Sequence, residues 1–291
     1  MMRSQIDVLS PQTIDEALTL LQQHQNTIRI IAGGSDIIIQ LRDGAVKTEK
    51  LLNILALKDL RFIEEKDNRI HIGAVTTYSE IIRSEQIKKH AWILLQAAKQ
   101  IGATQLQNTA TIGGNLGNAS PAGDTLPPLY ALGTIVVTRN QSARREIPVE
   151  KFFISYRKID LKPDELIEEI YFDRLTRNDA GSYLKLGLRK ANAISVVDVA
   201  VVLRGKRGNS YRDVKVALGA VAPTIVRARA CEQALTGKRL TEKSLREAAK
   251  ISLDDASPIT DIRGSAEYRR RVLGSLVYQA LRKAVFEGNK V

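Results

Sequence analysis

Apolar and polar residues recur along the chain at helical and strand spacings, and those spacings predict most of its elements. Thr13-Ile-Asp-Glu16 has the form of a capping box, and Ile14, Ala17, Leu18 and Leu21 share one helix face behind it. The apolar run Ile28 to Ala32 suits a buried strand and leads straight into Gly33-Gly34. Ser35-Asp36 can open a helical segment through Ile37 to Leu41 that ends at Gly44, and Leu51 to Leu55 reads as a second buried strand. Strand, crossover and strand make a small parallel unit, whose ligand loop belongs at the end of the first strand.

Phe62 to Glu65 and Arg69 to Gly73 flank Asp67-Asn68, a hairpin signal. Thr77-Tyr-Ser-Glu80 is a second capping box. Ala91 to Ile101 reads as a helix stopped by Gly102, and its Trp92 is expected in the core with Leu94, Leu95 and Ala98. Asp124 to Leu132 reads as a short helix, and Thr134 to Thr138, Glu146 to Val149 and Leu166 to Phe172 as strands. The polar stretch Arg174 to Gly181 marks a boundary. Beyond it Tyr183 to Leu188, Val196 to Leu203 and Val214 to Leu218 are strands in a row, followed by helical segments at Ile225 to Ala234, Thr241 to Ile251 and Ser265 to Val285. Strands followed by helices read as an α+β domain.

One stretch fits neither period. Thr111 to Asp124 reads Thr-Ile-Gly-Gly-Asn-Leu-Gly-Asn-Ala-Ser-Pro-Ala-Gly-Asp, with too little bulk to pack a core. It is expected as a loop that exposes backbone N–H groups, since glycine reaches positive φ freely and consecutive amides form a concave anion site. Ala32-Gly33-Gly34-Ser35-Asp36 offers the same chemistry upstream. Two such loops suggest one ligand with adjacent negative charges, such as a diphosphate.

Composition removes other chemistries. The 291 residues are 44% hydrophobic and 26% charged, ordinary for a globular chain of two or three domains. No apolar run approaches the ~20 residues of a membrane helix, and the Met1 to Asp7 start lacks a signal-peptide core, so a cytoplasmic protein is expected. A single cysteine, Cys231, excludes an internal disulfide and an iron–sulfur cluster or structural zinc held by this chain's thiolates. The net charge of +12 could serve nucleic acid, but the basic residues are scattered and aromatics are only 5%, so a solvated surface or acidic partner subunits fit it better. There is no G-x-G-x-x-G after a strand, no P-loop, no H-E-x-x-H and no G-x-S-x-G. His24, His71 and His90 stand apart from the glycine loops. No nucleophile-and-base pair is visible, so any redox or transfer chemistry must come from a bound cofactor.

The residues Ile31-Ala32-Gly33-Gly34-Ser35-Asp36, Thr111-Ile112-Gly113-Gly114-Asn115, Asn118-Ala119-Ser120-Pro121 with Asp124, and Asp261 to Arg270 together resemble the FAD-binding medium subunit of the molybdenum hydroxylases, of the xanthine, carbon monoxide and nicotinate dehydrogenase type. The resemblance implies an α+β fold: a noncovalent FAD-binding domain of the vanillyl-alcohol-oxidase (PCMH) type in two α/β subdomains, about 1–56 and 57–175, and a C-terminal α+β domain, 176–291, with a three-stranded antiparallel sheet and helices. It implies a first pyrophosphate loop at Ile30, Ile31, Ala32, Gly33, Gly34, Ser35, Asp36 and Ile37, and a second at Thr111, Ile112, Gly113, Gly114 and Asn115. It also implies Asp124 as a hydrogen-bond partner of the cofactor, Ile167 near the adenine side, Lys185 lining the pocket from the third domain, and Ile101 and Gly102 close to the flavin ring. Gly117 departs from the family, many of whose members have cysteine there.

The implied function is that of an FAD-carrying electron-transfer oxidoreductase subunit. A large molybdopterin-binding chain and a small [2Fe–2S] chain would be its partners in a dimer of heterotrimers, with electrons passing to NAD+ or another acceptor. Two other readings stay open at this stage: a stand-alone flavin oxidoreductase of the same fold, and a basic scaffold or nucleic-acid-binding module whose glycine loops are merely structural. Flavin colour in the purified chain separates the last from the other two.

Overall fold

The computed structural model of the chain describes residues 6–288. Residues 1–5 and 289–291 lie outside them, and with them part of the N-terminal reading and the outer ends of the first and last expected domains.

The first unit comprises β1 (Asp7–Leu9), α1 (Ile14–His24), β2 (Ile28–Ile31), α2 (Ile37–Arg42) and β3 (Lys50–Asn53). Its sheet is parallel, in the order β1-β3-β2. Spacing predicts β2 and β3 but not β1, which is only three residues long and has two exposed positions. Thr13 caps α1 by accepting the Glu16 N–H, while the Glu16 carboxylate takes the Gln12 N–H rather than that of Thr13. Ile14, Ala17, Leu18 and Leu21 then share a small core with Leu52, Leu57 and Leu60.

The second unit begins with β4 (Ile63–Lys66) and β5 (Arg69–Gly73). Asp67 and Asn68 between them have φ of 52° and 62°, as a two-residue primed turn requires. A run of short helices follows: α3 (Tyr78–Arg83), α4 (Glu85–His90), α5 (Trp92–Ala98), α6 (Thr104–Thr109), α7 (Ile112–Asn118) and α8 (Leu126–Leu132). After β6 (Ile135–Arg139), β7 (Arg144–Pro148), α9 (Val149–Phe152), β8 (Phe153–Ser155) and β9 (Lys158–Ile159), the chain returns through β10 (Leu166–Asp173) into the middle of a five-stranded antiparallel sheet, β4-β5-β10-β6-β7. Trp92 is buried as expected, and its indole N–H donates to the Gly181 carbonyl at 3.3 Å.

The small-residue stretch corrects the expectation of a loop without packing bulk. Its first half is α7. Thr111 caps that helix by accepting the Gly114 N–H at 3.1 Å, and Ile112 and Leu116 enter the core. Gly113 is required by closeness, since a Cβ there would lie 2.7 Å from both the Cβ and the carbonyl oxygen of Ala74. A capping threonine and two apolar residues four apart outweigh the poor helix propensity of glycine here.

The third unit is an antiparallel sheet, β11 (Ala180–Gly187), β12 (Ser195–Arg207), β13 (Ser210–Gly219) and β14 (Val226–Arg227), in that order. The three expected strands are present but longer than their spacing predicts, and two-residue β14, within the stretch expected as helix from Ile225, adds a fourth. α10 (Arg229–Leu235), α11 (Glu242–Ile251) and α12 (Ala266–Arg282) follow. The run of apolar residues in β12 has a structural cause: both of its faces are covered. Ala200 and Val202 join the core of the second unit with Trp92 and Leu129, whereas Val199, Val201 and Leu203 join that of α10 to α12. At roughly 1.5–3 kcal/mol for each buried aliphatic side chain, this double cover fixes the sheet against the second unit.

Candidate cofactor site

Three segments distant in sequence converge, and glycine permits the first contact. Gly33 lies so close to α6 that a Cβ would overlap the Thr109 carbonyl oxygen. Gly34, at φ 72°, completes the turn out of β2. The side chains then tie the two stretches together: Asn118 Nδ2 donates to Asp36 Oδ1 at 2.9 Å, and Gln40 Nε2 donates to Asn118 Oδ1 at 2.9 Å.

The two glycine stretches differ in what they offer a ligand. Among the described residues, the N–H groups of Gly33, Gly34, Ser35, Asp36 and Ile37 donate to no protein acceptor. The amides of the second stretch are engaged. Ile112 N–H donates to Thr76 O, Gly113 N–H to Ala74 O, and Asn115 N–H to Thr111 O. The first stretch therefore has the free donors, and the second forms the rigid wall on which it rests. Ile38 and Ile39 behind the first turn are about half exposed.

The path runs from α7 to the third unit through hydrogen bonds. Asn115 Nδ2 donates to Thr125 Oγ1 at 2.8 Å, and Thr125 Oγ1 also pairs with the buried Tyr78 hydroxyl at 3.0 Å. Ala220 N–H donates to Pro121 O at 2.8 Å. Asp124 reaches across the seam to β11 and β12. Its Oδ2 receives Lys185 Nζ at 2.6 Å and its Oδ1 receives Ser195 Oγ at 2.8 Å. The Lys185 ammonium also donates to Gln100 O at 3.2 Å, next to Ile101 and Gly102. Asn192 N–H donates to Gly102 O, which binds the β11–β12 loop to the same corner.

This corner is nearly dry. The side chains of Lys185 and Asp124 are 3% and 10% exposed. Burial pushes the Asp124 carboxyl above its ordinary value, against the pull of the Lys185 ammonium. Beneath them Asp198 is fully buried; its Oδ2 accepts from Tyr183 OH at 3.0 Å and lies 3.3 Å from Ser195 Oγ. Burial, and then the neighbouring Asp124, raise its carboxyl well above the usual range. Among the described residues no cluster of His, Cys, Asp and Glu could hold a metal ion.

The structure thus brings Gly33 to Ile37, Asp124, Lys185, Ile101 and Gly102 to a set of touching segments, with Thr111 to Asn115 as their support. Ile167 is a buried residue of β10, facing Thr138 in the sheet register and sharing a core with Ile112 and Leu116 of α7. Ser195, Tyr183, Asp198 and Thr125 escape the sequence reading. Each is an ordinary strand or loop residue in one dimension and becomes polar machinery only when the sheet docks.

The sequence profile described as "FAD binding domain in molybdopterin dehydrogenase" matches residues 4–172, and that described as "CO dehydrogenase flavoprotein C-terminal domain" matches residues 182–284. The chain belongs to the FAD-binding subunits of the molybdenum hydroxylases. It is 30% identical to the nicotinate dehydrogenase FAD-subunit of Eubacterium barkeri, over 91% of this chain and 90% of that one. It is likewise 30% identical to the carbon monoxide dehydrogenase medium chain of Hydrogenophaga pseudoflava, over 94% and 95%. A solved structure of carbon monoxide dehydrogenase from Hydrogenophaga pseudoflava superposes with a TM-score of 0.94 at 30% identity, covering 99% of both chains.

The fold is therefore that of this family: an FAD-binding α+β domain followed by a C-terminal domain. The cofactor is FAD, and the chain is an oxidoreductase subunit. The residues present fit a dinucleotide: open amides beside a glycine that admits close approach suit a diphosphate. Among the described residues no helix is long and apolar enough to cross a membrane.

Proposed function

We propose that this chain is the electron-transfer subunit of a hetero-oligomeric molybdenum hydroxylase, working between a small [2Fe–2S] chain and a soluble acceptor such as NAD+. FAD, when bound, supplies the ability to take up electrons singly and release them in pairs. The chain's own residues bind and orient. The amides of Gly33, Gly34, Ser35, Asp36 and Ile37 would take the diphosphate, with Ile30, Ile31 and Ala32 leading into that turn. Thr111, Ile112, Gly113, Gly114 and Asn115 would hold the turn in place. Asp124 and Lys185 would meet the cofactor at the seam, beside Ile101 and Gly102, and Ile167 would lie near the adenine side.

The observation that carries this reading is the near-complete, end-to-end match to subunits named medium chain and FAD-subunit. Such names describe one part of a larger enzyme, and the catalytic residues of hydroxylation would lie on a large molybdopterin chain, in a dimer of heterotrimers. We take the domain limits as 1–56, 57–175 and 176–291, a division supported by the three larger sheets among the described residues. The test is co-purification. A tagged chain expressed from its native source should bring down a molybdenum chain and a cluster chain, and the assembled enzyme should reduce its flavin when given the hydroxylation substrate. A tagged chain that stays alone and is reduced directly by a small donor supports a stand-alone flavoenzyme instead.

A further inference from the structure

Asp198 lies in the polar group under the proposed cofactor corner, and two counts there do not balance if it is charged. The first is charge. Asp198, at 0% exposure, lies with Asp124 on one side, Ser195 on its own strand and Tyr183 on β11. Lys185 directs two of its three donors to Asp124 and the Gln100 carbonyl. The Arg269 guanidinium of α12 is bonded to Val196 O, Ala220 O and Asp261. Two carboxylates with one ammonium would leave a buried, uncompensated negative charge, which is strongly unfavourable.

The second count is of protons. Ser195 Oγ lies 2.8 Å from Asp124 Oδ1 and 3.3 Å from Asp198 Oδ2, and a hydroxyl has one proton to give. Given to Asp124, it leaves Asp198 with the Tyr183 hydroxyl alone. Among the described residues Asp198 Oδ1 receives no hydrogen bond. It points at Gly219, where a Cβ would collide with it, and Pro127 closes the same space from α8. A carboxylate with a bare oxygen in an apolar slot is unstable; a carboxylic acid in the same slot is not.

We propose that Asp198 is a neutral carboxylic acid in the folded chain at neutral pH, and that it is a positioning residue which donates to Ser195 Oγ so that the Ser195 proton is committed to Asp124. Asp198 then donates to Ser195 and Ser195 to Asp124, which accepts from Lys185 on its other oxygen, and the group carries no net charge. It fixes the orientation of the Asp124 carboxylate, and through it Lys185, toward the cofactor. The effect on FAD rests on the reading above that Asp124 and Lys185 meet FAD; the protonation state does not.

The proton is read directly by infrared spectroscopy of the chain with isotope-labelled aspartate, wild type against D198N, at neutral pH. A protonated-carboxyl C=O band that D198N removes is expected. A spectrum with carboxylate bands only overturns the proposal, whether or not the chain binds FAD. FAD titrations across alkaline pH then test the positioning role. Wild type should lose about tenfold in affinity as Asp198 ionises, a loss of about one charge-assisted hydrogen bond. D198A should be about three- to tenfold weaker already at neutral pH, and D198N, whose amide can replace the acid as donor, should recover affinity and remain flat in alkali. An alkaline loss that persists unchanged in D198N, or a D198A chain with wild-type affinity, overturns the positioning role. A chain that shows the infrared band but binds no FAD in any form contradicts the cofactor reading instead.

Discussion

Lys185 Nζ stands 2.6 Å from Asp124 Oδ2, although the residues are 61 apart in sequence and belong to elements on opposite sides of a domain seam. The pair has two consequences. It closes the seam where α8 meets the C-terminal sheet, and it places one charge of each sign beside the Gln100–Gly102 turn. Because both groups are almost fully buried, removing one leaves the other unpaired in a dry site. K185M or D124L alone should therefore destabilise the chain by about 3–5 kcal/mol in urea unfolding. The double variant K185M/D124L should recover most of that stability while FAD affinity stays lost, which separates the pair's structural part from its binding part.

Glycine at position 33 is a condition for the two stretches to meet. G33A should lower FAD affinity by more than about tenfold, because the Cβ must push the turn away from the Thr109 carbonyl and displace the open amides with it. Gly117 is the matched control: it lies inside α7, and a Cβ there meets nothing within 4 Å. G117A should raise stability by about 0.5–1 kcal/mol, by thermal or urea unfolding, through helix propensity alone.

Asp261 should contribute to the acid sensitivity of the C-terminal domain. Its carboxylate receives Arg263 at 2.5 Å and the buried Arg269 at 2.5 Å. Those guanidinium hydrogen bonds, from Arg263 first, hold its carboxyl well below the usual carboxylate range. A depressed folded value contributes stability that is present above the unfolded value of ~3.9 and disappears as pH falls below it toward the folded one. D261N should lower stability at neutral pH and flatten the decline measured by urea midpoints between pH 5 and the acid limit, in the roughly pH 5 to 2 window where such linkage acts.

Cys231 is buried on α10, and burial pushes its thiol up to about 12. A thiol held that far above neutrality is not a nucleophile. The native chain should show no reaction with a thiol reagent at neutral pH and one reactive group after denaturation.

Much of the fold was legible because its elements obey simple periods. The Asp67-Asn68 turn, the Thr77 cap and the buried Trp92 all follow from local chemistry. Short elements were not legible: β1 has no measurable period, and α7 is hidden by glycines whose purpose, close approach to Ala74, exists only in three dimensions. The glycine stretches pointed to the site, but not to the unequal roles of their amides. Lys185 and Asp124 came from resemblance, since nothing in a strand lysine or a loop aspartate reveals a partner across a seam. Ser195 and Asp198 had no signal, because an aspartate inside an apolar strand looks like an interruption until its neighbours are in place.

We propose that FAD is gripped by the free amides of Gly33 to Ile37, with Asp124 and Lys185 as the polar contact across the seam. Hydrogen exchange of the purified chain with and without FAD measures this directly. FAD should slow exchange in the peptide spanning Gly33 to Ile37 and in the segments around Asp124 and Lys185, with the already bonded amides of Ile112 to Asn115 changing much less. Tight FAD binding that leaves the Gly33 to Ile37 amides exchanging as fast as before would contradict it.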